Sequence, residues 1–206
     1  MNWGTVPDWL MFLATAATAL FAWKALGSWR RQLEGQTRHS VALEIASAAR
    51  ALRYAFYDAR SPMLWAAEYP ESYRNRRMGE RPTRDEEAGE QAFVYQNRLK
   101  ALWPYIQDCA KLRPKAGIAF GDKCADSLEA LAKKARELEF IAQEYVEQTR
   151  VGDEIVAMWT DQKWVQRVKS SIHADTGRQD PLSVEFEAAM QVLMNHVGLL
   201  APVQKG

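Results

Sequence analysis

The residues able to do chemistry on their own are few. Three histidines, His39, His173 and His196, lie far apart, and none stands at metal-ligand spacing from a carboxylate or a cysteine. No Glu-x-x-His pair of the di-iron bundle type occurs. Cys109 and Cys124 are the two thiols. They straddle a predicted turn at inward positions, so an antiparallel hairpin would make them neighbours. A redox switch is the sharp reading of that pair, and two small apolar fillers in a core is the commoner one. "GIAFGDK" (117–123) has three residues between its glycines, the lysine two later and no strand before it, so it is not a phosphate loop. Glu185 and Glu187 fall on different faces of a helix. No catalytic, cofactor-binding or metal-ligating residue is assigned, and the chain reads as a non-enzyme.

Whatever positions these groups is helical. The 206 residues suffice for one ordinary domain with an appendage, and 27 basic against 26 acidic side chains give no bulk field for nucleic acid. The appendage is "WLMFLATAATALFAWKALGSWRR". Trp9 to Trp23 carries no charge, and counting through Lys24 to Trp29 gives 21 residues, against roughly 20 needed to cross a bilayer. Trp9 at one end and Trp23 and Trp29 at the other fit the two aromatic belts. Lys24 can snorkel, and Arg30 and Arg31 form the stop. Pro7 and Asp8 suit a helix start. A cleavable signal would place its cations before the apolar core, whereas here the first is Lys24.

The expectation is a membrane anchor over residues 1–30 and a helical bundle domain over 31–206. Lys24, Arg30, Arg31 and Arg38 put the N-terminus outside and the bundle in the cytoplasm, where the thiols stay reduced. Ala14, Thr18 and Ala22, four apart, offer a close-packing face for a homo-oligomer in lipid.

Beyond the anchor, Val41, Ile45, Ala48, Leu52, Ala55 and Ala59 step by four and three, as in a coiled coil, so the first helix should reach about Ala59 and stop before Pro62. A long connection follows, with a helical turn near Leu64–Glu68. Thr83 caps a second helix with seam Ala92, Tyr95, Leu99, Leu102, Ile106 and Cys109, kinked at Pro104. "RPKAGIAFG" should break the chain. The third helix carries Cys124, Leu128, Leu131, Ala135, Leu138, Ala142 and Tyr145, and Gly152-Asp153 precedes a fourth around Ile155, Met158, Val165 and Ile172. Asp180-Pro181 starts the last, with Phe186, Met190, Leu193, Val197 and Leu200 inward and Gly198 and Pro202 near its end. The fold class is all-α: one transmembrane helix continuing into an antiparallel bundle of about four to five helices.

Two basic stretches are candidate surfaces. At about 1.5 Å per residue the first helix carries the chain some 40 Å from the bilayer, and the second returns it. The turn at residues 111–123, with Lys111, Arg113, Lys115, Lys123, Ile118 and Phe120, would then lie near lipid. An ordinary solvated turn with Phe120 tucked into the bundle is the preferred reading. The distal connection interleaves Arg74, Arg76, Arg77, Arg81 and Arg84 with Trp65, Tyr69 and Tyr73. Such a mixture can meet an acidic partner, RNA or single-stranded DNA. Near-neutral charge disfavours nucleic acid, and aromatics packed on the bundle end are the commoner meaning.

With "ALRYAFYDARSPML", "VYQNRLKALWPYI", the Arg60-Ser61-Pro62 break and "FEAAMQVLMNHVGLLAP", the chain resembles a loose group of uncharacterised bacterial proteins built from an N-terminal membrane helix and a helical region. The resemblance implies this architecture and a bacterial source, and with the charge bias above the expected location is the bacterial inner membrane. It transfers no functional residue. The leading expectation is therefore a single-pass interaction or self-assembly module. Its rivals are a secreted or periplasmic helical protein after signal cleavage, a cysteine-based redox sensor or enzyme, and a membrane-linked RNA or single-stranded DNA binder through residues 74–84.

Overall fold

The computed structural model describes residues 5–61, 63, 65–76, 81–151, 168, 170–172 and 180–198. These residues are helical wherever they have regular structure, with no strand among them. The chain forms two compact units, Met1–Val41 and Ala42–Gly206.

Helix α1 spans Thr5–Ala59 and so begins ahead of Pro7. Its C-terminal part buries Ala42, Ile45, Ala46, Ala49, Leu52, Phe56 and Ala59. The expected seam is recovered at Ile45, Leu52 and Ala59, while Val41, Ala48 and Ala55 lie at its half-buried edge. The buried stripe is wider than a coiled-coil seam, as a helix in a globular bundle requires. A 3-10 turn, Ala66–Glu68, and helix α2, Glu71–Arg74, occupy the connection.

Thr83 caps α3, Arg84–Phe120. Its hydroxyl accepts from the Glu86 backbone N–H at 3.3 Å, and the Glu86 carboxylate accepts from the Thr83 N–H at 2.8 Å. This reciprocal box, with Asp85, Glu86 and Glu87 in the first turn, complements the positive end of the helix dipole. The Thr83 backbone N–H, and after it the Thr83 hydroxyl at 3.0 Å, donate to the Glu86 carboxylate and hold it below its ordinary range.

The break expected over "RPKAGIAFG" does not occur. Helix α3 runs through Pro104 and Pro114 to Phe120, and α4, Asp122–Val151, follows after Gly121 alone. Proline inside a helix removes a donor and costs about 3 kcal/mol. Here burial on both sides of Pro114, by Cys109, Leu112 and Ala116, offsets that cost. The turn falls on Gly121 because its φ of +88° lies where a side chain is strained.

The chain reverses at Gly121. Arg113 pairs with Glu129 at 2.8 Å, Tyr95 meets Tyr145 edge-on at 5.7 Å, and Thr149 donates to Gln91 at 3.1 Å. Positions falling along α3 meet positions rising along α4, so the helices are antiparallel. Helix α4 buries Cys124, Leu128, Leu131, Ala135, Leu138 and Ala142, with Tyr145 half-buried. The expected fourth helix at Gly152, Asp153, Ile155, Met158 and Val165 lies outside the described residues, apart from Ile172, which is buried.

Helix α5, Pro181–Val197, starts at the Asp180 cap with proline in its first turn and ends on left-handed Gly198. Phe186, Met190, Leu193 and Val197 are buried, whereas Leu200 and Pro202 lie outside the described residues. Phe186 stacks on Phe56 of α1 at 4.1 Å with rings nearly parallel. Glu187 accepts from Arg53 and Tyr57 of α1, and Glu185 from Lys134 of α4, so the two carboxylates serve different helices.

One contact closes this arrangement. Arg60, just past α1, is fully buried. It donates to the Ser171 carbonyl at 2.7 Å, Ser183 Oγ at 2.7 Å and Asp180 Oδ1 at 2.8 Å, over the Phe56 ring. Asp180 meanwhile accepts from the Ser183 N–H at 2.9 Å. Burial pushes the Arg60 guanidinium down, and the Asp180 charge opposes this. Removing one partner of such a pair strands the other away from water. We expect Arg60→Leu to destabilise the protein by about 3–5 kcal/mol in urea denaturation, while Arg53→Ala, at an exposed pair, changes stability by less than about 1 kcal/mol.

Candidate partner groove

A cavity of about 1050 Å³ lies between α1, α3 and the 66–74 connection in the Ala42–Gly206 unit. Tyr54, Tyr69, Phe93 and Tyr105 supply its rings, and Asp58, Glu71 and Arg74 its exposed charges. Tyr54 is 76% exposed, an unusual state for a ring on a packed helix.

Arg98 builds the floor. From α3 it donates to the Ser61 and Met63 carbonyls and to Glu68, each at 2.7 Å. This fork ties an irregular backbone segment to a regular helix. A second tie is the ion pair of Arg76 with buried Glu90, with the Arg76 guanidinium over the Tyr73 ring. Tyr73 stacks on Tyr69 at 4.1 Å. Burial raises the Tyr69 hydroxyl above its ordinary value.

The expected arginine surface is thereby divided. Arg76 is engaged in the fold, Arg74, Arg81 and Arg84 are exposed, and Arg77 lies outside the described residues. Trp65 is 63% exposed, and Tyr69 and Tyr73 are partly covered by their own stack. Asp58 and Glu71 make no ion pair with any described residue, so the groove holds carboxylates where a phosphate chain would meet repulsion. Sequence reasoning missed Arg98 and Glu90. Their signal was a charged residue at an inward register of a helix, which is informative only once the helix face is known.

The Met1–Val41 unit shows a different surface. Trp9, Trp23 and Trp29 are exposed, and Lys24, Arg30 and Arg31 are exposed with them. The Thr15 and Thr18 hydroxyls donate to the Met11 and Ala14 carbonyls at 2.8 and 2.7 Å, so these polar groups are satisfied within the helix. The Arg31 guanidinium reaches back to the Gly27 carbonyl at 3.2 Å. Among the described residues one helix, α1, is long and apolar enough to cross a membrane. Its apolar window has a mean hydropathy of 1.5, and none of that window is buried.

The cysteine pair does not assemble. Because α3 extends to Phe120, Cys109 lies eleven residues before its end and Cys124 two after the start of α4. At 1.5 Å per residue the two are offset by about 13 Å along the hairpin, beyond the roughly 7 Å between Cα atoms that a disulfide tolerates. Both are free and buried. Burial pushes the Cys109 thiol up to about 12, and Cys124 upward too. His39 and His196 are exposed and His173 lies outside the described residues. No group of three or more His, Cys, Asp or Glu able to hold a metal occurs among the described residues.

Comparison with protein-family models, with curated proteins and with solved structures returned no match to this chain. The reading of the groove rests on its own geometry.

The thiols make a pH test. A folded value near 12 for Cys109, against 9.0 ordinarily, means that the unfolded chain gives up that proton first as pH rises. Stability should therefore be lost between about pH 9 and 12, by at most about 1.4 kcal/mol per pH unit from this group. Urea denaturation at pH 8 and pH 10 should show the loss, and Cys109→Ala should reduce it, leaving the part that the raised Cys124 thiol contributes. A thiol reagent at pH 8 should label both cysteines slowly until denaturant is added.

Proposed function

We propose that this chain is a single-pass membrane protein of bacterial inner-membrane type that works as a non-enzymatic interaction module. The stretch from Trp9 to Trp29 crosses the bilayer with the Trp9 end outside, and the unit from Ala42 onward is cytoplasmic. The observation that carries this reading is the apolar window of α1, none of which is buried. A core helix of a soluble domain would hide that surface, because contiguous exposed apolar patches of this size are rare on soluble monomers. Lys24, Arg30, Arg31 and Arg38 on one flank supply the orientation. The internally bonded Thr15 and Thr18 hydroxyls suit a medium without water. Ala14, Thr18 and Ala22 provide a face on which copies could associate within the bilayer.

The groove supports partner binding more than catalysis. It combines Tyr54, Phe93 and Tyr105 with the carboxylates of Asp58 and Glu71. Rings beside unpaired carboxylates suit a protein segment bearing Lys or Arg, through charge pairing and cation–π contact. The alternative of RNA or single-stranded DNA at residues 74–84 is disfavoured by the same carboxylates and by the engagement of Arg76 with Glu90.

Two measurements test this reading. Carbonate washing of cell membranes should leave the protein in the pellet, with an N-terminus matching the full chain. On intact spheroplasts a membrane-impermeant maleimide should label an Asn2→Cys variant and spare a Lys133→Cys variant, with the reverse pattern after the cytoplasmic face is opened selectively. A protein released by carbonate, or a mature chain starting near Trp23, would overturn the anchor. For the groove, a photo-crosslinking residue at Tyr54 should give discrete adducts in native membranes that one at exposed Lys133 does not.

A further inference from the structure

Between Lys24 and Val41, helix α1 sorts its residues with a period of seven. Lys24, Arg31 and Arg38 fall seven apart, and so do Leu26 and Leu33, with Trp29 between them. At about 3.6 residues per turn, Leu26, Trp29 and Leu33 lie within an arc of about 60°, and the three cations fill an arc of about 40° on the opposite side. Leu26, Trp29 and Leu33 are all exposed, so no described residue covers the apolar arc. The basic turn at residues 111–123 has no such pattern. Its Lys111, Arg113 and Lys115 are matched by Asp108, Glu129 and Glu44, and Phe120 is half-buried.

The period identifies what fits this face. A repeat of seven keeps an apolar seam turned toward a second helix that carries the same repeat. With Leu26 and Leu33 at position a, Trp29 and Gln36 occupy d, and the three cations occupy f, the position farthest from the seam. In two parallel copies in register, Arg30 would face Ala25 and Thr37 would face Gln32, so no like charges oppose each other across the seam. The line Ala14, Thr18 and Ala22 reaches Leu26 by one further step of four. Small residues that allow close approach in lipid therefore lead into the seam. Helix α1 is unbroken from Thr5 through Val41, so the part beyond Arg31 does not turn flat onto a bilayer that the Trp9 end crosses.

We propose that this face is the seam of a parallel, in-register dimer and that its occupant is a second copy of this chain. The inference rests on the anchor reading above and extends its association face past the end of the membrane span. Leu26, Trp29 and Leu33 of the two copies pack on each other. Gln36 and Ser40 continue the seam as polar positions, which fix register at a cost in stability. Lys24 points away from the second copy, where its stem reaches the headgroups. Copies that share one topology meet in parallel. Confinement to one membrane supplies the effective concentration that so short a repeat needs, since a free coiled coil takes about three to four heptads.

The test is disulfide scanning of the full chain in native membranes. Single cysteines are introduced along the segment, and the buried native thiols are poor competitors. Mild oxidation should give most crosslinked dimer at Leu26→Cys, Trp29→Cys, Leu33→Cys and Gln36→Cys, and about fivefold less at Ser28→Cys, Arg31→Cys and Glu34→Cys. Adding Leu33→Lys to Trp29→Cys should lower the yield, and adding Arg38→Ala should leave it unchanged. Absent or position-independent crosslinking, or a maximum at Arg31→Cys, in a protein that carbonate leaves in the membrane would overturn the seam and leave the anchor standing. A protein that carbonate releases would overturn the anchor and the seam with it.

Discussion

The bundle depends on a guanidinium that water cannot reach. Arg60 is fully buried and must find its partners inside the protein. It does so by joining the end of α1 to the Ser171 carbonyl and the cap of α5, 111 and 120 positions later. Asp180 is shared, since it accepts from Arg60 and also from the first turn of its own helix. The stacked Phe56 and Phe186 rings seal the pair from one side. A buried pair is weak as a source of net stability, because desolvation consumes most of the attraction. Its strength is as a constraint. Any register of α5 on α1 that misplaces Asp180 leaves a bare charge in the core.

The same economy recurs around the groove. Arg98 and Arg76 are spent on holding an irregular connection, and the carboxylates of Asp58 and Glu71 are left over. The chemistry that remains available at the surface is therefore the residue of what the fold has already used. A near-neutral chain can still present a groove with local acidic and aromatic character, because the paired charges cancel in place and the unpaired ones do not.

The Met1–Val41 unit obeys a different rule. In its apolar window the side chains remain uncovered, and the polar hydroxyls of Thr15 and Thr18 bond to their own helix. In the Ala42–Gly206 unit, by contrast, an apolar core is buried and most described charges are outside. The first distribution is compatible with a lipid surrounding, the second with water.

What the sequence determined by itself was local. The end of α1 near Ala59, the Thr83 cap, the Asp180-Pro181 start and the inward stripe of α4 all follow from signals within a few residues of each other, where capping and periodicity act. What it could not determine were effects carried by distant partners. Pro114 and Gly117 look like a break, yet α3 continues through them because Leu112 and Ala116 are buried and Gly117 faces α4, where an added Cβ would meet that of Ala125 at 3.8 Å. That shift in the turn separated the two cysteines. Arg60 reads as one more arginine before a proline until Asp180, 120 positions later, is brought beside it. Burial is a property of the packed chain, so the meaning of a buried charge or of a groove was decided only by the tertiary structure.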